Sequence, residues 1–205
     1  MRLPINLDFF IKAHAWKLFL LTGAPSLAGV LLLFALFNQV PQALDAWPAW
    51  IVSIAAFLLS VLCAGLLTLG NGVMIAWMYA LGVRLHEVES DRAMNFKKRL
   101  KILCLVDIIL IALWTMLLAN KILFFNMTFC TLLLNLEYLL RIVITYLVSK
   151  EFIFFEREGR GVFIETMGVF FHIYIFPYGI WFFQPRMQAL MKKLDQAADL
   201  PEKAV

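Results

Sequence analysis

Charge is scarce in this sequence: of 205 residues, 16% are Asp, Glu, Lys or Arg, while 63% are hydrophobic. Soluble domains average about 25% charged and about 45–50% apolar residues, so a soluble globular fold is excluded. Period-two alternation of apolar and polar residues is also missing, which disfavours a transmembrane β-barrel. Cys63, Cys104 and Cys130 are odd in number and show no CxxC spacing. They read as small apolar side chains within helices, with no disulfide or metal role. The catalytic signatures are absent too: there is no GxSxG, no HExxH, and no GKS or GKT after the glycines of EREGRG at 156–161. Without them, nucleophilic, zinc and phosphate-loop chemistry have no residue set to work with. The expectation is a non-enzymatic chain with no cofactor and no bound metal.

What the chain has in abundance is apolar length. Runs of twenty or so apolar residues recur, each long enough to cross a hydrocarbon core of about 30 Å as a helix. The fold class is therefore an all-α integral membrane protein, one domain over 1–205. Four transmembrane helices are expected near 18–37, 49–70, 102–120 and 127–148. A kinked re-entrant segment, or alternatively a fifth span, occupies 162–183, and an amphipathic C-terminal helix 185–200. At the other end, Leu3, Leu7, Phe10, Ile11 and Leu18 recur at helical intervals. They suggest an interfacial helix anchored by Trp16, leading into a first span that reads as a retained signal-anchor.

The second apolar run extends over 49–83, about 52 Å as a helix, which is more than a bilayer core needs. Gly70, Asn71 and Gly72 are the expected break, followed by a half-buried continuation with Trp77 and Tyr79 at the interface. Residues 84–101 then carry six basic side chains beside Glu87, Glu89 and Asp91. They read as a solvated loop whose bases meet anionic headgroups.

The run 126–148 holds the most unusual feature, Glu137 and Arg141 in the middle of an apolar helix. Four residues make about one turn, so both lie on one face with the acid N-terminal to the base. Asn126, Cys130 and Thr145 fall near the same line. On insertion scales each central charge costs roughly 2.5–3.5 kcal/mol and each Leu, Ile, Val or Phe returns about 0.3–0.6. Residues 128–148 contain twelve of the latter, so cost and gain nearly cancel and the polar stripe should face protein or water. Asp107, one or two turns into the preceding span, sits at a depth comparable to Arg141 if the two spans are antiparallel neighbours. Asp107, Glu137 and Arg141 are thus a candidate intramembrane cluster. Glu165 and His172, seven residues apart, are a secondary candidate pair too incomplete to hold a metal.

Lysine and arginine set the orientation. Three precede the first span, the loop after it has none, 84–101 has six, and 150–160 has three. Four spans with both ends in the cytoplasm fit the positive-inside rule, and the four bases at 186–203 favour a re-entrant path for 162–183 over a fifth crossing. Membrane orientation and anionic lipid account for the net charge of +4 better than nucleic acid does.

The stretch YLVSKEFIFFEREGRGVFIETMGVFFHIYIFPYGIWFFQPRMQAL, above all FPYGIWFFQPR, resembles the C-terminal half of small bacterial multi-span membrane proteins. The resemblance implies a bacterial inner membrane, and no activity, substrate or catalytic residue. The expected function is that of an assembly, accessory or scaffold subunit working through a membrane protein partner or as a homo-oligomer. The alternative is a small proton-coupled transporter or channel component using the Asp107, Glu137 and Arg141 cluster.

Overall fold

A computed structural model describes residues 7–38, 48–86, 91–119, 127–175 and 178–199. Seven helices account for nearly all of them, and there is no strand among the described residues. They are α1 (Leu7–Lys12), α2 (Ala15–Asn38), α3 (Ala49–Leu85), α4 (Asp91–Ala119), α5 (Met127–Glu156), α6 (Phe163–Tyr174) and α7 (Ile180–Asp199). Four of them, α2 to α5, contain stretches long and apolar enough to cross a membrane. Only 17% to 33% of each stretch is buried inside the protein, so most of their apolar surface needs cover from lipid or another chain.

The boundaries depart from the sequence pattern in instructive ways. No break occurs at Gly70 to Gly72: α3 runs unbroken for 37 residues. Gly70 is a packing residue, because a Cβ there would strike the Ser26 hydroxyl and the Thr22 carbonyl of α2. Asn71, which also looked like a breaker, donates its Nδ2–H to the Leu67 carbonyl at 2.9 Å and stays within the helical ladder. The stretch after Val73 is a core element, with Met74, Ile75, Met78 and Leu81 buried and Trp77 fully enclosed rather than interfacial.

The charged stretch 84–101 is not all loop, since α4 begins at Asp91 and carries Lys97, Lys98, Arg99 and Lys101 on its first turns. Likewise α5 continues to Glu156. Phe152 and Ile153 keep the helical period and are buried, so the last turns have a face to pack. Helix α7 starts at Ile180, five residues before the expected opener Pro185, which lies inside it. Leu3, Glu87, Glu89 and Asn126 of the sequence pattern fall outside the described residues, as does the side chain of Cys130.

The chain divides into two compact units. The first comprises Met1–Phe19, Met74–Leu105 and Arg141–Val205; the second comprises Leu20–Val73 and Val106–Leu140. In the second unit, α2 and α3 approach through small residues, which lets backbones come close and packing replace hydrophobic driving force. Cys63 Sγ donates to the Gly29 carbonyl at 3.0 Å, and a Cβ on Gly29 would meet Leu67. Pro25 sits within α2; the next residue, Ser26, donates its Oγ–H to the Thr22 carbonyl, one turn back, at 2.8 Å. Helices α3 and α4 are joined by the Thr68 and Thr115 hydroxyls, 3.1 Å apart.

The first unit has a core built on Trp77, Leu81, Ile144, Val148, Phe152, Ile173, Ile180 and Phe183. Trp77 and Phe152 both pack on Phe183, with ring centroids 5.6 and 4.7 Å away. Helix α5 ends in a Schellman-type turn. Gly159 N–H reaches the Phe154 carbonyl at 2.8 Å and Glu158 N–H the Phe155 carbonyl at 3.4 Å. Glu158 and Gly159 both adopt positive φ, 51° and 83°. Helix α6 follows, at twelve residues about 18 Å long. The turn into α7 requires Gly179, whose missing Cβ leaves room for the His172 carbonyl.

Candidate functional site

The three residues singled out in the sequence fall on α4 and α5. Asp107 is fully buried and Glu137 is 5% exposed; both belong to the second unit, while Arg141, half-buried, opens the α5 portion of the first. On α4 the residues Leu100, Cys104, Asp107, Ile111 and Thr115 are all buried, so the carboxyl group shares the inward face of its helix with apolar side chains at i, i+3 and i+4 steps. On α5, Glu137 precedes buried Ile144, Thr145, Val148 and Ser149. Both carboxyl groups therefore point away from the surface that lipid would cover. Thr145, expected on the same stripe, donates to Met78 Sδ at 3.6 Å in the first unit.

Glu165 and His172 have separate partners. Glu165 Oε1 accepts from Arg157 Nη2 at 2.5 Å, and His172 Nδ1 lies 2.7 Å from the Gly168 carbonyl on its own helix. Seven residues put the two about 10.5 Å apart along the axis. Among the described residues no group of three or more His, Cys, Asp or Glu side chains could hold a metal ion.

The polar residues of FPYGIWFFQPR tie elements together. Gln184, 2% exposed, donates Nε2–H to the carbonyls of Ala13, Ile11 and Phe10 at 2.9, 3.0 and 3.3 Å. Its Oε1 accepts from Trp77 Nε1 at 3.3 Å. These carbonyls end α1, where a helix has no internal donors left, so a side chain of α7 supplies the cap. Gln188 Nε2 reaches Ile11 and Ala13 as well, each at 3.3 Å. Two residues on from Gln184, Arg186 grips the Glu156 carboxylate with two nitrogens, Nε to Oε1 at 2.6 Å and Nη2 to Oε2. The hydrogen bond to Glu156 raises the guanidinium above its ordinary range, partly opposed by burial and helped by the charges of Glu156 and Glu165. At the far end of α7, Asp195 accepts from Arg84 Nη2 at 2.7 Å.

One polar group that the sequence reading passed over is more exceptional than any of these. His86, at the C-terminal edge of α3, is 1% exposed. Its ring lies between Phe96 and Phe155, with centroids 4.4 and 5.4 Å away. Nε2 is 3.3 Å from Glu151 Oε2, within ion-pair range, but out of line for a hydrogen bond, and neither ring nitrogen has a hydrogen-bond partner among the described residues. A buried polar group left in that state costs about 1–3 kcal/mol. His86 and Glu151 line a cavity of about 620 Å³, bounded by Asn95, Phe96 and Arg99 of α4 and Leu147 of α5. The sequence offered one signal, a histidine directly after an apolar run, and the charged residues around it masked that signal.

No protein-family model, curated protein or solved structure matches the chain.

Proposed function

We propose that this chain is a four-span protein of a bacterial inner membrane, with both termini cytoplasmic, that acts without catalysis of its own as an assembly, accessory or scaffold subunit. It works through a partner membrane protein or a second copy. The observation that carries this reading is how the side chains are used. The conspicuous polar residues, Gln184, Arg186, Glu156, Thr68 and Thr115, join one helix to another, while α2 to α5 leave most of their apolar surface open. Phe34, Leu58, Leu132 and Leu139 are each more than 60% exposed. A chain whose polar contacts between helices are structural and whose exterior is broadly apolar is built to be held among lipids and neighbours.

For 162–183 the reading is a re-entrant or interfacial hairpin. Its support is the twelve-residue length of α6, short of a core of about 30 Å, and the union of α1 with α7 through Gln184, which holds those two helices side by side. A reporter fused after Val205 tests it: a cytoplasmic signal is expected, and a periplasmic one rejects it.

A second reading, a small proton-coupled transporter or channel component, is favoured by one observation, the burial of Asp107 and Glu137 on inward helix faces. Glu137→Gln separates the two. Under the assembly reading, abundance or co-purification of partners falls. Under the transport reading, the protein accumulates normally while flux or its pH dependence changes. A variant normal in both respects removes the role of the cluster altogether.

A further inference from the structure

We infer that the cavity beside His86 is a binding site for one monoanionic amphiphile, its head held by His86 and Arg99 and its tail along the apolar wall. The inference does not depend on the assembly reading above. The site has both elements that such a ligand needs. One wall is polar, with Asn95, Arg99, His86 and Glu151; the remainder is aliphatic and aromatic, including Leu100, Leu103 and Leu147. At about 620 Å³ the cavity is large enough for a headgroup and the first part of an acyl chain. Ile102, also on its rim, is 52% exposed on the apolar side of α4, which offers the rest of a chain a path out along the helix.

His86 points to a ligand rather than to a structural role. Its ring is enclosed, yet both nitrogens lack a hydrogen bond among the described residues. Glu151 Oε2 lies 3.3 Å from Nε2, so that carboxylate is engaged with the imidazole. With Glu151 facing His86, Arg99 is the one guanidinium or ammonium group that the polar lining residues offer to a ligand's head. A single negative charge matches it, which favours a phosphodiester or a carboxylate over a dianionic phosphate. The planar guanidinium suits either head in a two-pronged grip. Phospholipid and free fatty acid share this chemistry, and the experiment tells them apart.

The full chain, purified in a mild neutral detergent and stripped of lipid, is titrated separately with phosphatidylglycerol, phosphatidylcholine, palmitate and inorganic phosphate, with binding followed by native mass spectrometry and by thermal shift. Saturable binding of one phosphatidylglycerol or one palmitate is expected, with phosphatidylcholine weaker by about tenfold or more. Whichever of the two binds identifies the natural head as phosphodiester or carboxylate. Arg99→Gln, an exposed position, should weaken that binding by about tenfold without changing the melting temperature of the lipid-free protein. Leu147→Trp, which fills the cavity, should abolish it. Equal binding of phosphatidylglycerol and phosphatidylcholine, undiminished binding by both variants, or binding of inorganic phosphate as tight as that of the amphiphiles would overturn the assignment.

Discussion

Gln184→Leu is the most informative single change, because one amide side chain holds together three parts of the first unit. Leucine has nearly the same volume and suits the buried site, so packing is preserved and the lost hydrogen bonds dominate. The wild-type amide donates to Ala13 and Ile11 at 2.9 and 3.0 Å, contacts Phe10 at 3.3 Å, and accepts from Trp77 at 3.3 Å. A net contribution of about 0.5–1.5 kcal/mol per bond, discounted for the Gln188 amide that still reaches Ile11 and Ala13 at 3.3 Å, gives a loss of about 2–3 kcal/mol. For a chain of this size that corresponds to a fall in melting temperature of roughly 4–12 °C.

The assay is thermal unfolding in detergent alongside limited trypsin digestion at Lys12 and Lys17, which flank the capped end of α1. Both sites should become faster to cut as α1 loosens. Gln184→Glu keeps an acceptor for Trp77 but presents a carboxylate to three carbonyl oxygens, so it should be more damaging than leucine. If Gln184→Leu melted within about 1 °C of wild type and digested at the same rate, the capping argument would be refuted, and α1 would have to be held by apolar contact alone.

Other substitutions test neighbouring parts of the fold. Gly70→Ala should lower stability by about 1–3 kcal/mol through overpacking, since its Cβ would strike the Thr22 carbonyl and the Ser26 hydroxyl. Gly72→Ala, with nothing within 4 Å, should raise stability by up to about 1 kcal/mol through helix propensity; equal effects on melting temperature would remove the packing account of α3. Arg186→Lys keeps the charge but loses the paired grip on Glu156, and a loss of about 1–2 kcal/mol is expected in thermal unfolding. Glu158→Gly relieves a left-handed conformation, φ 51°, and should stabilise by about 1 kcal/mol; a lower melting temperature would contradict the turn assignment.

The sequence made some of this structure legible and hid the rest for identifiable reasons. Apolar length is a strong signal, so the four membrane-length helices were readable from hydropathy alone. Helix ends were not. Gly70 and Gly72 look alike in sequence, but one fits against α2 and the other meets nothing; propensity cannot distinguish a glycine that breaks a helix from one that admits a neighbour. The stretch 91–101 looked like a loop and the fourth span looked finished at 148 because the charges that follow outweighed the apolar period of Leu100, Phe152 and Ile153, which the core rewards. Burial of Asp107 and Glu137 followed from the cost of exposing them to lipid. The isolation of Glu165 from His172 did not, because the partner of Glu165 lies on the far side of a turn whose geometry depends on Glu158 and Gly159. His86 was missed because its enclosure needs Phe155, distant in sequence, as well as Phe96 on the next helix.

These observations change the meaning of the FPYGIWFFQPR stretch. Gly179 admits the backbone of α6, Phe183 fills the core beside Trp77 and Phe152, Gln184 caps α1, and Arg186 secures the end of α5. Each function is architectural, so this stretch determines how the chain is closed and does not itself point to an activity. The same reasoning explains why α5 depends on its surroundings. Alone in a bilayer its apolar gain barely offsets the cost of Glu137 and Arg141, whereas within the protein Glu137 is 5% exposed and the cost of exposing it to lipid is avoided. Stability of α5 in a membrane is then conditional on packing, and any change that loosens the chain's closure, at Gln184 or Arg186, should also make α5 easier to extract.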